Sequence, residues 1–159
     1  MGLNDKLLKA IEKLKKIGIN YKILEFNEAA RTSSDVARLY GINPREIIKT
    51  LIVKTDDNRF FAVMLPGILK IDNKKLLKEL NAKKDRFLNE DELKNNTEFE
   101  PGEVCPILIE KIPILVDKTV FETENINFGS GDLYFGIEIK SKDLYKAIKI
   151  EKIVDIVKF

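Results

Sequence analysis

The sequence predicts a single α/β domain around a mixed, largely antiparallel and curled sheet, and three observations support this prediction. Residues 47–54, Ile-Ile-Lys-Thr-Leu-Ile-Val-Lys, have the length, apolar content and β-branching of a buried central strand. Short apolar segments separated by turn residues predict adjacent antiparallel hairpins with few long crossovers. The length of 159 residues suits one core, so we expect residues 1–159 to form one domain.

The first half of the chain alternates helical and strand patterns. The predicted segments are a helix over residues 4–17, a strand over 21–26, a helix over 32–41, the central strand, and its hairpin partner over 59–65. Asn4 caps the first helix and Gly18 ends it. Thr32-Ser-Ser-Asp35 resembles a capping box, with Asp in place of Glu, and begins the second helix. A turn at residues 56–58 joins the central strand to its partner.

The second half continues in the same mixed order. The predicted segments are a helix over 73–80, a strand over 84–88, a short helix after Asn89, a strand over 114–117, a hairpin over 125–128 and 134–139, a helix over 142–148, and a strand over 152–157. Asp72 caps the first of these helices, and three acidic residues follow Asn89 at the positive end of the next. The turn Gly129-Ser130-Gly131 closes the hairpin, and Ser141 caps the last helix.

Composition excludes several kinds of catalytic site. The chain has no histidine, which excludes a Ser-His-Asp triad, a Cys-His dyad and a His-ligated metal. The single cysteine, Cys105, cannot form an internal disulfide or a zinc site of the usual kind. No GxGxxG or Walker sequence follows a strand, so we expect no nucleotide cofactor. Any chemistry must use Lys, carboxylates, hydroxyls, backbone dipoles or the substrate itself.

Charge and hydropathy limit the kinds of partner that the protein is expected to bind. The net charge is only +2 although 34% of the residues are charged, which argues against a large DNA-binding face. No apolar run approaches the roughly 18 residues that span a bilayer. The Lys-rich N-terminal pattern lacks the apolar segment of a signal peptide. We therefore expect a cytoplasmic protein with no membrane or DNA partner.

Lys49 is the most informative residue of the central strand. Side chains alternate across a strand, so Lys49 shares an otherwise apolar face with Ile47, Leu51 and Val53. An unpaired charge buried on that face would be costly. Two interpretations stay open: either Lys49 lies near the strand end and reaches water, or the face opens on a cleft where the cation meets an anion.

Three loops contain glycines that let a backbone come close to a ligand. They are Pro66-Gly67, Gly102-Glu103-Val104-Cys105-Pro106 and Gly129-Ser130-Gly131. Each loop taken alone predicts an ordinary turn. Cys105 lies inside the second loop, and without a histidine to activate it we interpret it as a pocket-lining thiol rather than a nucleophile.

The order of these loops along the chain, together with the motifs between them, is more specific than any single loop. The ordered motifs are Thr32-x-x-Asp35 through Gly41, the Ile-Ile-Lys-Thr-Leu strand, Pro66-Gly67, residues 76–82, Phe99-Glu-Pro-Gly-x-x-x-Pro106, Ile-Pro-Ile-Leu-Val-Asp117, Gly129-Ser-Gly131, and Ser141 with the final helix and strand. Together they resemble the YbaK/aminoacyl-tRNA synthetase-associated domain family, which includes free-standing and prolyl-tRNA-synthetase-inserted editing domains. The resemblance covers the chain from about residue 20 to its end.

The resemblance implies a barrel-like sheet wrapped by helices, and hydrolysis of mischarged aminoacyl-tRNA in trans. It gives Lys49 the catalytic position, where it binds the phosphate or ribose of the 3′-terminal adenosine. The substrate-binding residues that it implies are Thr50, Pro66, Gly67, Gly102, Cys105, Pro106, Gly129, Ser130 and Gly131. It implies no metal, no cofactor and no protein base, because a ribose hydroxyl or a cysteinyl thiol of the substrate assists the attack. An aminoacyl-tRNA synthetase is the candidate protein partner.

The chain departs from the family pattern in three places. Asn27 or Glu28 occupies the region where many members have a histidine, and residues 68–72 and 132–135 replace stretches that are often basic. Two alternatives therefore stay open: a non-catalytic module that binds tRNA or a synthetase, and a protein that binds or hydrolyses small aminoacyl esters. The edited amino acid also stays open among Ala, Pro, Cys, Ser and Thr.

Overall fold

The computed structural model describes residues 4–158, which form five α-helices and ten β-strands. The helices are α1 Asp5–Ile17, α2 Ser33–Tyr40, α3 Asn73–Leu80, α4 Glu90–Asn96 and α5 Leu144–Ala147. The strands are β1 Tyr21–Glu25, β2 Ile48–Thr55, β3 Phe60–Pro66, β4 Lys70–Ile71, β5 Asp85–Phe87, β6 Ile114–Asp117, β7 Asn125–Gly129, β8 Phe135–Lys140, β9 Ile150–Val154 and β10 Val157–Lys158. Within this part of the chain, no helix has the length and apolar character needed to cross a membrane.

Two main sheets carry the fold. The larger has the order β5-β2-β3-β6-β9; β2 pairs antiparallel with β5 and β3, whereas β6 pairs parallel with β3 and β9. The smaller has the order β1-β8-β7 and is antiparallel, and β4 and β10 form a separate antiparallel pair. The prediction of a mixed, mostly antiparallel α/β fold is therefore confirmed. The predicted central strand, β2, is an inner strand next to β3, which lies at the middle of the larger sheet.

The two main sheets meet at one point. A parallel bridge pairs Ile47, just before β2, with Asn127 of β7. This bridge brings the start of β2 against the three-stranded sheet. The barrel-like sheet that the resemblance implies thus consists of two sheets joined at this bridge.

Alternation along β2 divides its side chains between two hydrophobic clusters. Ile48 and Ile52 pack in the larger cluster together with Leu7 and Leu14 of α1, and all four are buried. Leu51 and Val53 face the opposite way and belong to the cluster that contains Leu76 and Leu80 of α3. Lys49 lies on this second face, as the alternation predicts.

The C-terminal segment differs from its prediction in two respects. Ser141 does not cap a helix: it begins a 3₁₀ turn, Ser141–Asp143, and its hydroxyl donates to the Thr123 carbonyl at 2.6 Å. The strand predicted over 152–157 is divided into β9 and β10. Between them, the Ile156 N–H donates to Asp117 Oδ1 at 2.8 Å, so this residue pairs with a side chain instead of extending β9.

Asp117 is a fully buried carboxylate at the end of β6. Its Oδ2 accepts from the Thr119 N–H at 3.0 Å and from the Thr119 hydroxyl, while its Oδ1 accepts from Ile156. Hydrogen bonds to both oxygens replace the water that this side chain loses on burial. Asp117 therefore connects β6 to the chain between β9 and β10.

We predict that Asp117→Ala lowers the free energy of unfolding by about 2–4 kcal/mol, because it leaves buried donors without an acceptor. Urea denaturation measures this change. Asp155→Ala is the control, since Asp155 is exposed and only forms ion pairs with Lys75 and Lys118 at the surface. We expect that control to lose less than about 1 kcal/mol. An equal loss in both variants would contradict a special role for Asp117.

Candidate functional site

A cleft of about 410 Å³ lies where the start of β2 faces β7. Its other walls are the first residues of α2 and part of the loop between α4 and β6. Five residues that the sequence analysis selected line this one cleft: Lys49, Thr50, Gly67, Gly102 and Gly129. The structure therefore brings the strand lysine together with one residue from each of the three glycine-bearing loops.

The remaining selected residues lie behind the walls of the cleft. They are buried and do not line it: Pro66, Cys105, Pro106, Ser130 and Gly131. Ser130 stabilises the turn between β7 and β8, because its hydroxyl donates to the Phe135 carbonyl at 2.6 Å. Pro66 is the last residue of β3 and stands opposite Ile48 of β2. Pro66, Cys105 and Ser130 lie directly next in sequence to the lining residues Gly67, Val104 and Gly129.

Lys49 is a partly buried cation in this cleft. Among residues 4–158, no carboxylate lies within ion-pair distance of its ammonium group and no hydrogen bond satisfies it. Burial lowers the pKa of Lys49 below that of an ordinary lysine. Of the two interpretations open at the sequence level, the cleft agrees with the structure, in which Lys49 is a lining residue. Asp132 also lines this cleft but forms no ion pair with Lys49.

The edge of β2 is open beside Lys49. Strand β5 pairs only with Val53, Lys54 and Thr55, so the first part of β2 has no partner in its own sheet on that side. The Ile47 carbonyl accepts from Gly67 on the β3 side, and the Ile52 carbonyl accepts from Leu88 on the other side. Backbone groups alternate in direction along a strand, so the N–H and C=O of Thr50 point away from β3, towards the open edge.

Gly67 and Gly129 allow the walls of the cleft to approach each other. A Cβ atom on Gly67 would lie 2.0 Å from Ser33 Oγ at the start of α2. A Cβ atom on Gly129 would lie 2.3 Å from the Val104 carbonyl oxygen. Both distances are far below van der Waals contact, so a larger residue would force the elements apart. Both glycines also line the cleft, so their approach to a ligand stays a prediction, and the structure adds that each packs closely against another part of the chain.

The start of α2 contributes residues that sequence reasoning interpreted mainly as caps. The capping box is present: Thr32 Oγ1 accepts from the Asp35 N–H, and Asp35 Oδ2 accepts from the N–H groups of Arg31 and Thr32. These bonds, led by the one from Arg31, lower the pKa of Asp35. Thr32, Ser33 and Ser34 all line the cleft. The feature of the sequence that could have indicated a binding role for these residues is the helix start itself, because a helix N-terminus presents unpaired N–H groups.

Asn127 is a lining residue that the sequence analysis missed. Its side chain is only 2% exposed, and neither its Nδ2 nor its Oδ1 has a hydrogen-bond partner among the described residues. Thr50 Oγ1 is also buried in this cleft without a partner. In the sequence, Asn127 alternates with Ile126 and Phe128, which is the usual pattern of a strand with one face in water. Nothing local indicates that both faces of β7 are covered.

Cys105 has no exposed surface. Burial raises the pKa of its thiol to about 12, so the thiol stays protonated at neutral pH. A thiol in this state cannot act as the nucleophile of a hydrolytic reaction. The cysteine is part of the larger hydrophobic cluster, next to the cleft wall rather than on it.

Comparison with known proteins identifies the family to which these features correspond. The profile of the aminoacyl-tRNA editing domain matches residues 27–147. The proline–tRNA ligase of Fervidobacterium nodosum is 25% identical over 127 residues, which is 80% of this chain and 22% of the ligase. The uncharacterized protein YwhH of Bacillus subtilis is 26% identical over 123 residues, 77% of this chain and 78% of YwhH. The chain thus matches about a fifth of the ligase and most of YwhH.

Solved structures share the fold. A hypothetical protein superimposes with a TM-score of 0.85 at 24% identity, covering 94% of this chain and 99% of its own. A candidate trans-editing enzyme for prolyl-tRNA synthetase superimposes with a TM-score of 0.84 at 17% identity, covering 99% of this chain and 100% of its own. At these identities the likeness concerns the fold.

We predict that Lys49→Met raises the free energy of unfolding at pH 7 by about 0.5–1 kcal/mol, a small value because water still screens the partly exposed lysine. The pKa of Lys49 is lower in the folded chain than in the unfolded chain, so the unfolded chain binds more protons between the two values. The free energy of unfolding of the wild type therefore rises as the pH passes between these two pKa values. The difference in stability between Lys49→Met and the wild type becomes smaller over the same range. Urea denaturation at pH 7 and pH 10 checks both statements. A less stable variant at pH 7 would show that the charge is compensated.

We predict that Cys105 reacts slowly with iodoacetamide in the native protein at pH 8. With a pKa of about 12, its thiolate fraction is smaller by about 10³ than that of a free cysteine of pKa about 8.5. Mass spectrometry of native and urea-unfolded samples measures the two alkylation rates. Equal rates would contradict the burial of this thiol.

Proposed function

The chain belongs to the aminoacyl-tRNA editing domain family, and on this premise we propose that it hydrolyses the ester of mischarged aminoacyl-tRNA in trans. Editing of this kind is needed because one methyl group changes binding by only about 1–3 kcal/mol, so a synthetase cannot reject small competitors by binding alone. The ligand is the aminoacylated 3′-terminal adenosine of a tRNA. Its anionic backbone and short ester suit a cleft that is lined by the cationic residues Arg31 and Lys49.

The observation that carries this proposal is the unpaired charge of Lys49. A partly buried ammonium group without a protein anion lowers stability, and a ligand phosphate would relieve that penalty. We assign Lys49 to the phosphate or ribose of the terminal adenosine. This contact anchors the 3′ end of the tRNA at the mouth of the cleft and fixes the position of the ester.

The backbone around the cleft positions the aminoacyl group. Thr50 directs its N–H and C=O towards the open edge of β2, and Gly67, Gly102 and Gly129 line the same space without side chains that would fill it. A backbone N–H that is fixed before the substrate binds, as that of Thr50 is, stabilises the negative charge that develops on an ester oxygen. Pro66, Cys105, Pro106, Ser130 and Gly131 support these positions from behind.

The reaction needs no protein base. The sequence has no histidine, and Cys105 is buried and protonated. In the proposed reaction a water molecule, helped by the neighbouring ribose hydroxyl of the substrate, attacks the ester carbonyl. The bond between the carbonyl carbon and the ribose oxygen breaks, the amino acid leaves as a carboxylic acid, and the ribose oxygen takes up a proton. The protein contributes orientation and electrostatic stabilisation.

We predict that Lys49→Ala lowers kcat/KM for deacylation by at least about 100-fold, because the variant loses the contact that orients the ester. The assay is a panel of tRNAs charged with Ala, Pro, Cys, Ser or Thr. Lys54→Ala is the matched control, since Lys54 lies on the same strand, outside the cleft, with its ammonium over the Phe60 ring at 5.6 Å. The control should keep wild-type activity.

Two results would contradict the proposal. Full activity of Lys49→Ala would remove the assigned role of the lysine. No hydrolysis of any charged tRNA by the wild type, together with measurable tRNA binding, would instead support a non-catalytic module that binds tRNA.

A further inference from the structure

Asp132 is an anionic side chain in a cleft whose proposed ligand is a polyanion. It is partly buried and lines the cleft together with Arg31 and Lys49. Among residues 4–158, it is the lining residue that carries a carboxylate, and it forms no ion pair with either cation. It also belongs to the stretch 132–135, where the chain departs from the family pattern. The carboxylate therefore needs an explanation that is particular to this chain.

Hydrogen bonds within one turn fix the backbone around Asp132. Its N–H donates to Ser130 Oγ at 3.2 Å, and its carbonyl accepts from the Phe135 N–H at 3.1 Å. Its carboxylate Oδ1 accepts from the Tyr134 N–H at 2.9 Å. The other carboxylate oxygen, Oδ2, has no hydrogen-bond partner among the described residues. The turn thus holds the carboxylate at the cleft and leaves one oxygen available to a ligand.

The bond to Tyr134 accounts for Oδ1 of Asp132 but not for the negative charge. A side-chain oxygen that accepts from the N–H two residues later forms an Asx turn, and asparagine forms this turn as well as aspartate does. A negative charge in the same cleft repels phosphate groups, so it weakens the binding of an RNA end. The charge is therefore unfavourable in this cleft unless the ligand supplies a cation.

The proposed substrate supplies one cation beside its ester. Its phosphates are anionic, whereas the side chains of the candidate amino acids Ala, Pro, Cys, Ser and Thr are uncharged at neutral pH. The α-amino group titrates near about pH 8, so it is mainly an ammonium ion at pH 7. It is attached to the carbon next to the ester carbonyl, so a protein group that binds it also orients the ester. A hydrogen bond between an ammonium group and a carboxylate is stronger than one between neutral groups.

We propose that Asp132 binds the α-ammonium group of the aminoacyl ester through Oδ2, and that the cleft therefore prefers esters with a free α-amino group. This inference rests on the proposed function and names its substrate class: unblocked aminoacyl esters, as distinct from peptidyl and other esters whose α-nitrogen carries no charge. The contact does not depend on the amino-acid side chain, because all the candidate amino acids share the α-ammonium group. Lys49 then contacts the adenosine and Asp132 the amino acid, with the ester between them.

The first test compares an aminoacyl-tRNA with the same tRNA carrying the corresponding acid in which oxygen replaces the α-nitrogen. A neutral group of nearly the same size then stands in place of the ammonium group. The assay uses the ester of the panel that the wild type hydrolyses fastest, at pH 6.5, where the amine is protonated. Asp132→Asn keeps the acceptor for the Tyr134 N–H and removes only the charge. We expect the preference for the amino ester, as a ratio of kcat/KM values, to be at least about 10-fold larger in the wild type than in Asp132→Asn.

This comparison of preferences is independent of folding and of the intrinsic reactivity of the esters. Both esters are measured on one preparation, so a smaller folded fraction lowers both kcat/KM values equally. The different reactivity of the two esters cancels when the wild type is compared with the variant. An equal preference in the wild type and in Asp132→Asn would overturn the inference.

Glu138→Gln is the matched control. It removes the same charge from β8, the strand that follows the turn at Asp132, and Glu138 does not line the cleft. We expect this control to keep the wild-type preference. A loss of preference as large as that of Asp132→Asn would show an effect of net charge and would contradict a direct contact.

A binding measurement separates this inference from the proposed function. The probes are 3′-amino-3′-deoxyadenosines acylated with alanine or with lactic acid, which cannot be hydrolysed as esters, and calorimetry compares their affinities. If no ester is hydrolysed but the wild type binds the alanyl amide more tightly than the lactoyl amide, and Asp132→Asn removes this difference, the inference holds and the catalytic proposal fails. If esters are hydrolysed with equal preference by the wild type and Asp132→Asn, the catalytic proposal holds and the inference fails. If there is neither hydrolysis nor a difference in affinity, both fail.

Discussion

The incomplete pairing of β2 is the constraint on which the site depends. Strand β5 covers only three residues of β2, and the bridge between Ile47 and Asn127 then brings β7 alongside. A strand edge normally has to be covered, because its backbone groups are unpaired. Here the edge is enclosed between two sheets and not filled. Lys49, Thr50 and Asn127 face the resulting cleft because of where they lie relative to that gap.

The cleft collects features that lower the stability of the free protein. Within residues 4–158, its partly buried cation Lys49 forms no ion pair, and the buried side-chain polar atoms of Asn127 and Thr50 make no hydrogen bond. Elsewhere the chain satisfies comparable groups: Asp117 is fully buried and bonded at both oxygens, and Ser130 is bonded across its turn. The contrast is informative, because an unpaired buried group in a fold that pairs such groups elsewhere needs a physical explanation, and a bound ligand is one.

A histidine-free cleft directs attention to positioning rather than proton transfer. The residues that line it supply two cationic side chains, one carboxylate, several hydroxyls and closely packed backbone groups, as at Gly67 against Ser33. Groups of this kind can orient an ester and stabilise developing charge, which is the role that the proposed reaction gives to the protein.

The sequence by itself determined the elements whose signals are local. The capping box at Thr32, the helix α3 and the β2–β3 hairpin follow from caps, periodicity and turns within a few residues, and alternation placed Lys49 on its face of β2. Only the tertiary structure decided what depends on contacts between distant segments. Ser141 bonds to Thr123 instead of capping a helix, and Asn127 is buried because β7 is covered on both faces. Local patterns indicate whether the side chains of a segment prefer water or the core. A cleft forms where distant segments leave a gap between them, and the position of that gap depends on the packing of the whole chain.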